Sequence, residues 1–124
     1  MPDSNFVLLY VDSPAASAAF YAELLGKPPV ENSPTFALFV LDSGLKLGLW
    51  ARHAVVPAAR WYTGGGGELA FAVADPHAVA AMHENWSRRG LTIAQAPVEM
   101  DFGHTFVALD PDGHRLRVYA PAAA

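Results

Sequence analysis

The sequence predicts an α+β fold in which one βαβββ unit is written twice. Two pairs of segments carry that prediction. Gly44-Leu45-Lys46-Leu47-Gly48-Leu49-Trp50-Ala51 and Gly113-His114-Arg115-Leu116-Arg117-Val118-Tyr119-Ala120 match position by position, as a turn glycine followed by an alternating strand that ends in an aromatic. Phe6 to Pro14, ending Val11-Asp12-Ser13-Pro14, mirrors Glu68 to Pro76, ending Val73-Ala74-Asp75-Pro76. Each closes a strand and opens a helix. A duplicated small unit buries its hydrophobic face against its copy, so curled mixed sheets are expected round a shared cleft, with the helices outside.

The elements follow in order. Phe6 to Val11 alternates Phe6, Leu8 and Tyr10 with Val7, Leu9 and Val11, the pattern of a strand buried on both faces. Ser13 is an N-cap and Pro14 a first helical residue; Ala16, Phe20 and Leu24 form a stripe, and Gly26 ends the helix. Val30 to Ser33, Phe36 to Leu41 and Leu45 to Ala51 read as strands separated by Ser-Pro and Asp-Ser-Gly turns. Arg52 to Gly67, with Gly64 to Gly67 at its end, lacks periodicity and reads as a linker. A phosphate-cradling role for those glycines lacks the lysine or serine and the following helix it requires. The second half repeats the order: strand Glu68 to Val73, cap Asp75, a helix from Pro76 with Val79, Met82, His83 and Trp86 on one stripe, and a stop at Gly90. Leu91 to Pro97, His104 to Leu109 and His114 to Tyr119 supply the last strands, and Ala120 to Ala124 reads as a frayed tail. The organisation is one domain, 1–124, with halves of about 5–52 and 67–121.

Composition narrows the partners. The chain has 124 residues, 52% hydrophobic and 16% charged, enough for a real core. A net charge of -4 without a basic run gives no footprint for nucleic acid or an anionic membrane. The absence of cysteine excludes disulfides and thiolate ligands, and suits a cytoplasmic location. No signal peptide or membrane span is read in it.

Phe20-Tyr21 followed by Leu24-Leu25-Gly26, the paired units and the closing Asp110-Pro111-Asp112-Gly113-His114 resemble the vicinal oxygen chelate superfamily, the glyoxalase, bleomycin-resistance and dioxygenase group. Leu9-Tyr10-Val11, Leu49-Trp50 and Asp101-Phe102-Gly103-His104-Thr105-Phe106 are most similar to its phenazine-resistance-like branch. The resemblance covers nearly the whole chain and implies the glyoxalase/bleomycin-resistance fold. Its members include metalloenzymes and metal-free drug binders, so the fold alone does not choose between them.

In metal-dependent relatives the first and last strands of each unit hold the ion, which the resemblance places here at Phe6, near Gly48, at Glu68 and at Arg117. A divalent ion needs about three or more His, Asp or Glu ligands, and this set supplies one carboxylate. We expect no metal and no cofactor, with Arg117 paired to Glu68 across the cleft in the ion's place; the pairing reads equally as scaffold. None of the five histidines forms a His-x-x-x-His pair. His104, beside Asp101 and Phe102, is a candidate hydrogen-bond donor or base, or else a loop histidine partly in solvent; His114 is expected to fix its turn.

The expected ligand set is Phe6, Leu8, Tyr10, Trp50, Glu68, Phe102, His104, Phe106, Arg117 and Tyr119, with Ala70 and Ala72 making room. Trp50 is the first choice as stacking platform, with a place in a dimer interface as the rival reading. Trp61 is a candidate cover for the cleft, and Trp86 reads as core. The resemblance also implies a homodimer, with halves exchanged through the glycine connection. Three functions follow: metal-independent sequestration of a planar aromatic antibiotic of phenazine or bleomycin type; a glyoxalase-like metal-dependent lyase, isomerase or dioxygenase in which Glu68 and His104 do acid and base work or hold a weak metal; or a scaffold or regulatory subunit without a ligand.

Overall fold

Each half of the chain begins with a short strand that hands over to a capped helix. The computed structural model describes residues 4–58 and 68–122, and the chain divides into two compact units, Met1–Tyr62 and Thr63–Ala124. In the first, β1 (Phe6–Val11) leads to α1 (Pro14–Leu25), β2 (Glu31–Asn32), β3 (Phe36–Val40) and β4 (Lys46–Ala51). In the second, β5 (Glu68–Ala72) leads to α2 (Pro76–Arg88), β6 (Thr92–Met100), β7 (Gly103–Leu109) and β8 (Arg115–Pro121). The fold is α+β, with sheet orders β1-β4-β3-β2 and β5-β8-β7-β6. In both sheets the first strand of the unit lies parallel to the last and the remaining pairs are antiparallel.

The helix starts are fixed by their caps. Ser13 Oγ accepts from Ala16 N at 3.2 Å and Asp75 Oδ1 accepts from Ala78 N at 2.8 Å, and a proline follows each cap. Gly26, at φ 70°, closes α1 in the left-handed conformation that a glycine adopts without strain. Each helix covers one face of its own sheet. Val11, Ala37, Phe39, Leu47, Leu49 and Ala51 fill the core of the first unit with Tyr21 of α1, and the Tyr21 and Phe39 rings meet edge to face at 6.5 Å. In the second unit Trp86 of α2 packs against Phe71 and Phe106, at 5.9 and 5.4 Å between centroids.

Three expectations change. The buried stripe of α1 is Pro14, Ser17, Ala18 and Tyr21 rather than Ala16, Phe20 and Leu24. Alanine and other apolar residues stand on all sides of the helix, exposed as well as buried, so its own hydrophobic pattern has little direction. β1 is buried on one face only: Val11 is fully covered while Phe6, Leu8 and Tyr10 remain 38%, 44% and 40% exposed. The expected frayed tail begins later, because Ala120 and Pro121 continue β8 beside Gly103 and His104, and Ala122 N donates to Phe102 O at 2.8 Å. A side chain at Gly103 collides with the Ala120 carbonyl, so glycine is required there. Trp61 and Gly64 to Gly67, with the connection on which an exchange of halves rests, lie outside the described residues. Among the described residues no helix is long and apolar enough to cross a membrane.

Candidate functional site

In the second unit, strand alternation places Glu68, Ala70 and Ala72 of β5 on the face away from α2, with Arg115, Arg117 and Tyr119 of β8. Register puts Ala70 opposite Arg117 and Glu68 opposite Arg115, so Glu68 reaches Arg117 diagonally. Arg117 Nε donates to Glu68 Oε1 at 2.8 Å and Nη2 donates to Oε2 at 3.1 Å, a two-pronged pairing of the kind guanidinium geometry favours. Nη1 donates to Thr105 Oγ1 at 3.2 Å and to Gln95 Oε1 at 3.4 Å. Thr105 is fully buried and its hydroxyl donates to Val118 O at 2.8 Å. The ring of Phe102 lies 5.5 Å from the Arg117 guanidinium carbon and meets Tyr119 edge to face at 6.2 Å. The hydrogen bond from Arg117 holds the Glu68 carboxyl below the usual glutamate range, against a weaker opposing effect of burial; Arg115, 3.8 Å from Oε2, adds to the lowering.

This ion pair joins neighbouring strands of one sheet, where the expectation had it spanning the cleft. Thr105 and Gln95 were absent from the expected set. Thr105 was legible in principle, because it stands opposite Tyr119 and alternates with Phe106. Gln95 was not: β6 shifts register on both sides of it, so counting by twos fails there.

Along β1 and β4 the corresponding face of the first unit is apolar apart from Lys46, which stands opposite Phe6. Phe6, Leu8 and Tyr10 pair with Lys46, Gly48 and Trp50, and Gly48 and Trp50 pair in turn with Leu38 and Phe36. Tyr10 and Trp50 meet edge to face at 6.5 Å with planes at 83°. A Cβ built on Gly48 lies 2.6 Å from Leu8 Cδ2, 2.9 Å from Phe6 Cε1 and 3.1 Å from Phe36 Cε1. The glycine is required here by neighbours that close over it, since its backbone is not in the positive-φ region. Elsewhere in this unit Asp12, Arg52, His53, Val55 and Ala58 line an open depression of about 350 Å³, which includes no residue of the aromatic face.

Phe106 and His104 do not belong with the expected ligand residues. Both fall on the α2 side of β7, because alternation from Thr105 turns them away from Arg117 and Tyr119. Phe106 is fully buried against Trp86 and His83, whose ring is 5.3 Å away. His104 Nδ1 is buried without a hydrogen bond, 3.4 Å from Glu99 Oε1. Among the described residues it lies on the opposite face of β7 from the Glu68 network.

The positions that hold an ion in metal-dependent relatives do not fit one here. On the first sheet they are a phenylalanine and a glycine whose side-chain space is filled; on the second they are Arg117 and the carboxylate it holds. Asp110, Asp112 and His114 place one ligand atom each within 4.8 Å of one another. Asp110 Oδ1 already accepts from the backbone N of Asp112 and of His114 at 2.9 and 2.8 Å, and Oδ2 lies 2.8 Å from His114 Nδ1. That arrangement ties the turn, as expected of His114. The Asp110 hydrogen bond raises the His114 pKa above the usual histidine range, against a smaller lowering by burial.

Paired βαβββ units with these divergent faces define a class that comparison with known families makes specific. The chain belongs to the Glyoxalase/Bleomycin resistance protein/Dioxygenase superfamily, whose family model matches residues 4–118. Among curated proteins it is similar to the phenazine antibiotic resistance protein EhpR of Enterobacter agglomerans, at 25% identity over 92% of this chain and 88% of that one. Among solved structures it is similar to protein ATC0852 of Agrobacterium tumefaciens, with 55% identity, TM-score 0.89, and 99% and 100% of the two chains covered. A glyoxalase-related enzyme from Fulvimarina pelagi aligns at 25% identity and TM-score 0.79, covering 100% of this chain and 94% of that one.

Proposed function

We propose that this protein binds and sequesters a planar aromatic small molecule of the phenazine-antibiotic type without a metal, protecting by occupancy rather than turnover. The observation that carries the reading is the exposed aromatic and apolar face of the first sheet, where Phe6, Leu8 and Tyr10 stay accessible beside Trp50. Contiguous exposed apolar surface on a folded chain marks an interaction site, and an indole next to a phenol suits a flat ring. The resistance role of the curated relative supports the ligand class. The donor set, with Glu68 engaged by Arg117, supports metal independence.

Covering one face of a tricyclic ring removes on the order of 150 Å² of apolar surface from water, about 4 kcal/mol. The cost of association and ordering offsets much of that, so buried area alone does not set the affinity. We carry a homodimer as part of this proposal, tested by sedimentation.

The test combines metal analysis of the purified protein with titration of tryptophan fluorescence by phenazines and quinones. Saturable quenching that is lost in Trp50→Ala, with the fold retained by circular dichroism, is the expected result. Stoichiometric zinc, nickel or iron bound through Glu68, or no quenching by any planar aromatic, overturns the reading.

A further inference from the structure

Trp50 and Gly48 share one face of β4, two residues apart and therefore separated by about 7 Å along the strand. Side chains from both neighbouring strands fold into the space that Gly48 leaves, Leu8 and Phe6 from β1 and Phe36 from β3. Leu8 Cδ2 lies 2.6 Å from the position a Cβ would take, and Phe6 Cε1 lies 2.9 Å from it. Both residues still keep outer surface accessible, at 44% and 38%. They form a low apolar floor beside Trp50 rather than a ridge. Two residues beyond Gly48, Lys46 stands opposite Phe6 and closes the uncharged stretch of the strand.

We propose that Gly48 is a positioning residue that selects ligands by ring length, admitting a third fused ring where a side chain would admit two. The proposal rests on the binding function above and narrows it to three-ring over two-ring aromatics. A flat molecule stacked by one end on Trp50 extends along β4 over Leu8 and Phe6. Its far ring meets them closely only while they lie down over the glycine. An alanine at this position moves Leu8 Cδ2 from 2.6 Å to an ordinary contact of 3.4 Å or more, and displaces Phe6 Cε1 with it. Both side chains are open on their outer side, so they rise toward the ligand and hold its far ring off. A gap of about 0.5–1 Å forfeits roughly a quarter to a half of the dispersion contact. The rings nearest Trp50 do not reach that point.

Phenazine and quinoxaline are the probes, because quinoxaline is phenazine less one terminal ring and both are neutral near neutral pH. The readout is the ratio of their Kd values from tryptophan fluorescence, in variants whose fold is retained by circular dichroism. A third ring that covers roughly 50 Å² of apolar floor is expected to make phenazine bind about tenfold tighter. In Gly48→Ala that ratio is expected to fall to about threefold, with quinoxaline itself weakened about twofold or less. In a Leu8→Ala background, Gly48→Ala is expected to change the ratio less, because the nearest atom it displaces is gone. An unchanged ratio in Gly48→Ala, equal weakening of both probes, or a fall undiminished in the Leu8→Ala background overturns this proposal while leaving aromatic binding intact. Failure of both probes to bind overturns the binding function, and the proposal with it.

Discussion

Where the first unit sets Phe6, Leu8, Gly48 and Trp50 on the face of its parallel strand pair, the second sets Glu68, Ala70, Arg117 and Tyr119 at the matching register positions. The backbone pairing is the same and the chemistry is opposite. In the first unit the glycine gives up its volume to Leu8, Phe6 and Phe36, which close over it. In the second the small residues lie on β5, as Ala70 and Ala72, and the large one is the arginine on β8. A repeated fold thus fixes which residues share a face, while the identity of each pair decides whether that face is apolar or charged.

The largest test of this comparison lies within one hairpin of the second unit. Phe106 and Phe102 are four residues apart in a family-like segment, yet one is buried and the other 44% exposed. Phe106→Ala is expected to destabilise by about 3–5 kcal/mol, as loss of a fully buried ring does. Phe102→Ala is expected to cost about 1 kcal/mol or less, its contacts being those with Arg117 and Tyr119. Urea unfolding of both variants measures the difference. A similar loss for both contradicts the assignment of Phe106 to the α2 side.

Those two residues also mark the reach of the sequence. The strand and helix order follows from caps, turn glycines and alternation, which are local signals. The Glu68–Arg117 pair follows from superposing the two halves, since equivalent positions share a face. The side taken by Phe106, His104 and Thr105 depends on pairing across the β7–β8 turn, where Thr105 stands opposite Tyr119 and its neighbours opposite Val118 and Ala120, and residue type alone does not carry that parity. Gln95 depends on a bulge, and the buried side of α1 depends on tertiary packing around an alanine-rich helix; neither has a local signature.

A smaller effect separates the two faces directly. Gly48→Val introduces atoms where Leu8, Phe6 and Phe36 already lie, and is expected to cost about 1–3 kcal/mol through overpacking. Ala70→Val occupies an exposed position paired with Arg117, and is expected to change stability by about 0.5 kcal/mol or less. Equal costs from the same unfolding measurement contradict the view that volume is limiting only in the first unit. Smaller again is the coupling between Glu68 and Arg117. The pair is two-pronged but partly exposed, so a double-mutant cycle with Glu68→Ala and Arg117→Ala is expected to return about 1 kcal/mol.

The smallest expected effect is in pH dependence, and its two signs are opposite within the second unit. The folded pKa of Glu68 is lowered, chiefly by the Arg117 hydrogen bond, so its contribution is present above the ordinary glutamate value of about 4.3 and is lost as pH falls through the depressed one. The folded pKa of His114 is raised, chiefly by the Asp110 hydrogen bond. Its contribution is therefore complete below the ordinary histidine value of about 6.5 and is lost as pH rises through the raised one. In the first unit the lowered group among the described residues is Asp42, whose carboxylate beside Lys27 is fully exposed and contributes nothing measurable. Unfolding free energy measured against pH is thus expected to lose part of its acid-side slope in Glu68→Gln. In His114→Gln the deficit relative to the parent is expected to be larger near pH 6 than near pH 8, values that lie about either side of the histidine range. A deficit that grows with rising pH contradicts a protonated His114 held by Asp110, and an unchanged acid slope in Glu68→Gln removes the charge from the feature that most distinguishes the second sheet from the first.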